Sequence, residues 1–167
     1  MGVFDIPTFL LQIDLAFGHL PIPDDDHLVL DNSGYHLECN QVKEKFRGRH
    51  WRSLLLKDLE FEADSLAFFT PEAFRFFLPA YIRVSLLNYE EADIIPMSVL
   101  GSLTRPQDPA LSEYFKSRLG VLDNAQRGCL RNFIFFLRQC HAGDFLPGEL
   151  DNAQACLDSL FVADAPN

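Results

Sequence analysis

The chain carries no lysine or arginine in residues 1–42 and none in residues 139–167. It has no run of about 18 uncharged apolar residues, the length a membrane-spanning helix needs, so no membrane span is expected. Its four cysteines, Cys39, Cys129, Cys140 and Cys156, form no C-x-x-C pair. That argues against a redox motif or a zinc ribbon and for reduced thiols, three of them inside helix-like apolar patterns, in a cytoplasmic protein. There is no Gly-rich phosphate loop, no G-x-S-x-G elbow and no H-E-x-x-H pair, which removes the enzyme classes that announce themselves by motif. The first helix-like stretch, Met1 to Phe17, contains Asp5 and Asp14 and no basic start, so it reads as a helix of the mature chain and not as a secretory signal.

What is abundant is phenylalanine and negative charge. Sixteen Phe stand against four Tyr and one Trp; Phe has no polar handle and gains most when fully buried, so a dense apolar centre is expected. The 167 residues suffice for one domain with its own core, without disulfides or metal. The formal net charge of −10 opposes binding to nucleic acid and to anionic lipid, and favours a basic protein as partner.

The charge is distributed unevenly. Residues 43–57 hold Lys43, Lys45, Arg47, Arg49, Arg52 and Lys57 against Glu44 alone, a basic island in an acidic body. The ordinary account is that the island pairs with flanking acids. The functional account leaves acids uncovered to meet a basic partner. The candidates for such a surface are Asp24, Asp25, Asp26, Glu60, Glu62, Glu90, Glu91 and Asp93. Arg127, Arg131 and Arg138 lie within about 40° of one another on the wheel of a long helix, with Ile134 in the same stripe; this is a contact surface or simply an exposed face.

Hydrophobic periodicity predicts an all-α single domain over 1–167, a bundle of five to seven helices around a kinked central one. A helix starts near Pro7 and ends before Gly18; residues 21–36 are loop, with room for a short hairpin near 28–37; a helix follows over about Glu38–Phe46. Residues 53–69 fit either a short helix or a strand. Thr70-Pro71-Glu72 is the clearest start signal: Thr caps, Pro takes the first helical position, and Glu favours the positive end. The helix that follows is apolar on most sides and contains Pro79, which should kink it. Pro96 and Gly101 mark an irregular link. Further helices start at Asp108-Pro109, at Asp123 and near Pro147, with a frayed tail from Val162. The pentapeptide Leu-Asp-Asn-Ala-Gln occurs at 122–126 and again at 150–154, by duplication or by shared helix-start chemistry.

The residues offer three chemical readings. His36 and Cys39, with Cys140 and His141, fit zinc-ligand spacing only loosely, because adjacent helical residues point apart; no metal and no cofactor is expected. The run Asp24-Asp25-Asp26 lacks the alternation and the Gly of a calcium loop and reads as solvated. A small enzyme would need a pocket near Cys39, His50 and Trp51, with Cys39 as the best nucleophile because of nearby positive charge.

Leu66 to Tyr81, read as Leu-Ala-Phe-Phe-Thr-Pro-Glu-Ala-Phe-Arg-Phe-Phe-Leu-Pro-Ala-Tyr, resembles the signature of an uncharacterised bacterial family, which pairs it with an upstream Trp-x-x-Leu similar to Trp51-Arg52-Ser53-Leu54. The resemblance extends to Ile13–Gly18 and Leu122–Leu137. It implies a bacterial cytoplasmic protein and supplies no active-site residues. By analogy with small acidic bacterial proteins of this kind, it suggests an immunity-type inhibitor of a basic toxin or effector. The alternatives are the small enzyme above and a self-assembling structural or adaptor subunit.

Overall fold

The computed structural model describes residues 3–162, with side chains to Leu160; the tail expected beyond Val162 lies outside the described residues. Among them are eight α-helices and no strand: α1 (Ile6–Phe17), α2 (Leu37–Phe46), α3 (Leu56–Leu59), α4 (Pro71–Leu87), α5 (Ile95–Leu103), α6 (Ser112–Gly120), α7 (Asn124–Cys140) and α8 (Glu149–Val162). The all-α class is therefore observed. No helix of the described residues is long and apolar enough to cross a membrane. The chain divides into two compact units, one of residues 20–99 and one of residues 1–19 with 100–167.

The unit of residues 20–99 is built on α4. Thr70 caps it, its side chain accepting from the Ala73 N–H at 3.1 Å, with Pro71 in the first turn and Glu72 behind it. Twelve of its seventeen residues are buried, as expected of a helix apolar on most sides. Pro79 lies inside it and has no N–H to offer the preceding turn. Phe77 of α4, Phe46 of α2 and Phe69 form a closed trio, with ring centroids 5.0–5.1 Å apart. Such contacts add about 0.5–1.5 kcal/mol per pair beyond the area they bury.

The segment 28–37 does not fold on itself as a hairpin. Val29 instead makes an isolated antiparallel bridge to Phe69, through Leu30 N–H to the Phe68 carbonyl (2.9 Å) and Thr70 N–H to the Leu28 carbonyl (3.1 Å). Thr70 Oγ1 also donates to the His27 carbonyl at 2.6 Å, so one residue both caps α4 and anchors the loop. Burial of Leu28 and Val29 explains the choice, since folding 28–30 onto the polar turn after it would have left them in water. Residues 53–69 resolve into α3 and a 3-10 turn over Ala63–Ala67, not a strand. The irregular link expected at Pro96 and Gly101 is helix α5: Pro96 sits in the first turn, where its missing N–H costs nothing, and Ile95, Val99, Leu100 and Leu103 are buried.

The other unit is organised around α7. Asp123 and Gln126 form a capping box at its start, each side chain bonding the other's backbone N–H. Gln126 is fully buried and its amide also donates to the Ala16 carbonyl at the end of α1, at 3.0 Å. On the opposite seam Arg131 meets Asp158 (3.2 Å) and Arg138 meets Asp151 (2.7 Å). A step of seven residues forward on α7 is matched by seven backward on α8, so the two helices run antiparallel. The Arg stripe is thus no free contact surface: Arg131 and Arg138 pair with α8, while Arg127 and Ile134 are buried. The repeated pentapeptide has two different roles. Its first copy starts α7, whereas the second lies within α8 and supplies Asp151 to Arg138.

Candidate interaction surface

The basic island is largely neutralised within its own unit. Lys43 Nζ lies 3.7 Å from Asp26 and 3.1 Å from Asn32 Oδ1, Arg47 3.3 Å from Glu44, and Arg49 3.1 Å from Asp58; Lys45 pairs with Glu62. Burial pushes the Asp58 carboxyl up, but hydrogen bonds from Leu55 N–H and Arg49 outweigh it and hold the group below its ordinary value. Exposed pairs of this kind contribute about 0–1 kcal/mol each, so their main consequence is cancellation of positive field. Arg52 and Arg83 place their guanidinium groups 4.8 Å and 5.6 Å from the centre of the Trp51 ring.

Seven of the eight acids selected from the sequence are exposed: Asp24, Asp25 and Asp26 at the first 3-10 turn, Glu60 after α3, and Glu90, Glu91 and Asp93 between α4 and α5. All belong to the unit of residues 20–99, on three separate surface segments. Glu62 does not belong with them. It is 8% exposed, its Oε2 accepts from the Ser65 hydroxyl at 2.7 Å, and its other oxygen meets Lys45. Its backbone carbonyl accepts from the Tyr81 hydroxyl at 2.8 Å; deep burial raises that phenol's pKa far above the ordinary range, so Tyr81 stays a donor at any working pH. Glu62 is drawn inward by partners 17 and 19 residues away, Lys45 on its carboxylate and Tyr81 on its backbone carbonyl, which charge counting along the chain does not reveal.

Glu62 stands in an open cleft of about 760 Å³. Glu38, Gln41, Val42 and Lys45 from α2 form one wall, and residues between Phe61 and Phe68 form the other. Lys45 is the single cation in a lining that also holds Glu38, Glu62 and Asp64. Phe61 is 85% exposed at the edge, although the unit buries most of its aromatics. Its exposure, the Lys45–Glu62 pair and the Ser65 contact were not legible as a site, because no spacing motif joins them. A second, smaller cavity of about 460 Å³ lies between α1 and α7, with Phe4, Phe9 and Phe135 in its lining.

The group Cys39, His50 and Trp51 is placed differently. Cys39 is 2% exposed and Trp51 fully buried, and neither lines the cleft. His50 Nδ1 accepts from Arg52 N–H at 3.1 Å, with Phe76 5.3 Å away in edge contact. Burial, with the positive charge of Arg52 beside it, lowers the His50 pKa, which keeps the ring neutral and suited to capping a turn. His36 acts similarly: its Nδ1 accepts from Cys39 N–H at 3.3 Å, so the loose His-x-x-Cys spacing corresponds to a helix cap. No group of three or more His, Cys, Asp or Glu among the described residues is arranged to hold a metal ion.

Comparison with curated proteins and with solved structures gives no match. A family model matches residues 27–150, a span that includes the cleft, Glu60, Glu62 and the 90–93 acids, and excludes Asp24, Asp25 and Asp26. The chain belongs to this family, a family of unknown function (DUF6714).

Proposed function

We propose that the protein is a protein-binding module of the bacterial cytoplasm, an immunity-type inhibitor that neutralises a basic toxin or effector through its acidic surface. The observation that carries the reading is the use of the basic island. Lys43, Lys45, Arg47 and Arg49 are each paired with an acid of their own unit. Residues 20–99 hold fourteen acids and eight bases, a net −6, so the unpaired remainder is negative and lies outside. Such a field attracts a basic protein quickly and repels acidic ones. The burial of Cys39 weighs against a thiol enzyme, since a nucleophile must be reached by its substrate.

The experiment is affinity capture from the native cell with the tagged full chain, followed by co-expression of any captured protein with and without it. The expected result is one strongly basic protein at equal stoichiometry, whose toxicity the chain abolishes. A captured acidic protein, or a basic one whose activity is unchanged, contradicts the proposal. Retention of a metabolite in native mass spectrometry with no protein captured would favour the enzyme, and a stable homo-oligomer at low concentration the assembly subunit.

A further inference from the structure

We infer that the cleft between α2 and the 61–68 segment receives an arginine or lysine side chain of the basic partner, at the position on Glu62 that Lys45 holds in the free protein. The inference deepens the proposed function and rests on it for the partner's positive charge.

The cleft is organised around a carboxylate that is fixed from within. Ser65 binds one oxygen of Glu62, and Tyr81 binds its backbone carbonyl. The other carboxylate oxygen meets Lys45, whose side chain is half exposed. A buried carboxylate left without a cation is costly, so the free protein needs an internal counter-charge. Lysine suits a replaceable one: it is a strongly hydrated point charge on a flexible stem, whereas arginine offers a planar fork matched to a carboxylate.

The rest of the lining fits a cationic side chain with an aliphatic stem. Glu38, Glu62 and Asp64 against Lys45 give the lining a net charge of −2. Val42 and Phe61 supply apolar surface along which such a stem can lie. Once a second cation enters, Lys45 returns to solvent, the net charge of the lining stays at −2, and Glu38 and Asp64 remain as further acceptors. Phe61, almost wholly exposed in the free chain, becomes covered.

The test uses hexa-arginine as probe and hexa-glutamine as control, titrated calorimetrically into the full chain at about 150 mM salt, where exposed charges more than about 8 Å apart are screened. Wild type is expected to bind the arginine peptide and not the control. Phe61→Ser and Glu62→Gln should each weaken binding by about tenfold or more, and Lys45→Met should strengthen it by about tenfold, because the internal competitor is gone. Asp24→Asn with Asp25→Asn removes charge outside the cleft and should change affinity by less than about threefold. Glu62 is buried, so if Glu62→Gln fails to fold, Phe61→Ser and Lys45→Met carry the test. Binding unchanged in both of those variants overturns the inference. If the Asp24/Asp25 variant weakens binding while those two do not, the cleft is excluded and the acidic-surface reading stands. If neither the peptide nor any captured basic protein binds, both fall.

Discussion

The two units use their polar side chains in contrasting ways. In the unit of residues 1–19 and 100–167 they join one helix to another. Gln126 reaches Ala16, Asn132 reaches Gln12 (2.8 Å), and Arg131 and Arg138 reach α8. In the unit of residues 20–99 the ion pairs tie α2 and the turn after it to neighbouring loops and turns, Lys43 to Asp26, Lys45 to Glu62 and Arg49 to Asp58, and the interior is closed by aromatic rings. Beyond the acids in those pairs, this unit leaves Asp25, Glu60, Glu90, Glu91 and Asp93 exposed. The polar seam of the other unit takes up Asp151 and Asp158. That difference explains why the candidate surface falls in the aromatic unit.

The largest effect should come from that aromatic core. Phe77→Ala removes a ring that touches Phe46, Phe69 and Phe76, and is expected to destabilise the unit by about 3–5 kcal/mol. Trp51, the only tryptophan, lies in the same unit and reports on it selectively, so its fluorescence transition should move to markedly lower urea. Next comes the polar seam. Gln126→Ala leaves the Ala16 carbonyl and the Asp123 N–H without this partner, at a cost of about 1–3 kcal/mol in urea or thermal denaturation. Smaller still is the Arg138–Asp151 pair, whose double-mutant cycle should give a coupling of about 0.2–1 kcal/mol that shrinks as salt is added.

The smallest effect is pH dependence at His50. Its pKa in the folded chain lies below the ordinary 6.5, so the unfolded chain takes up the proton first as pH falls. The contribution is complete above about pH 6.5 and declines as pH drops toward the folded value. His50→Asn preserves an acceptor for Arg52 N–H without a titrating group, and melting temperatures measured from pH 8 to pH 5 should fall less steeply than in wild type.

Helix starts were the legible part of the fold, because caps act locally. Thr70-Pro71-Glu72 and Asp123 stand where their chemistry requires. Pro96 is ambiguous in the sequence because proline breaks a helix interior but suits a first turn, and burial of Ile95, Val99 and Leu103 distinguishes the two cases. Residues 53–69 resisted reading because one helical turn and a 3-10 turn are too short to show a period. At the candidate surface, the exposed acids were legible from composition. Glu62 was not, because its burial depends on Lys45, Ser65 and Tyr81 converging from three elements. The Arg stripe is legible as a stripe, but the α8 carboxylates that pair with it lie 13 and 27 residues further along the chain.

The central claim is that negative charge left outside the aromatic unit draws in a basic protein. Its most direct measurement is the stopped-flow association rate with the captured partner, from about 20 mM to about 500 mM salt. The account predicts a fall in the association rate of about tenfold or more across that range, with a much smaller change in the dissociation rate. An association rate indifferent to salt would contradict it.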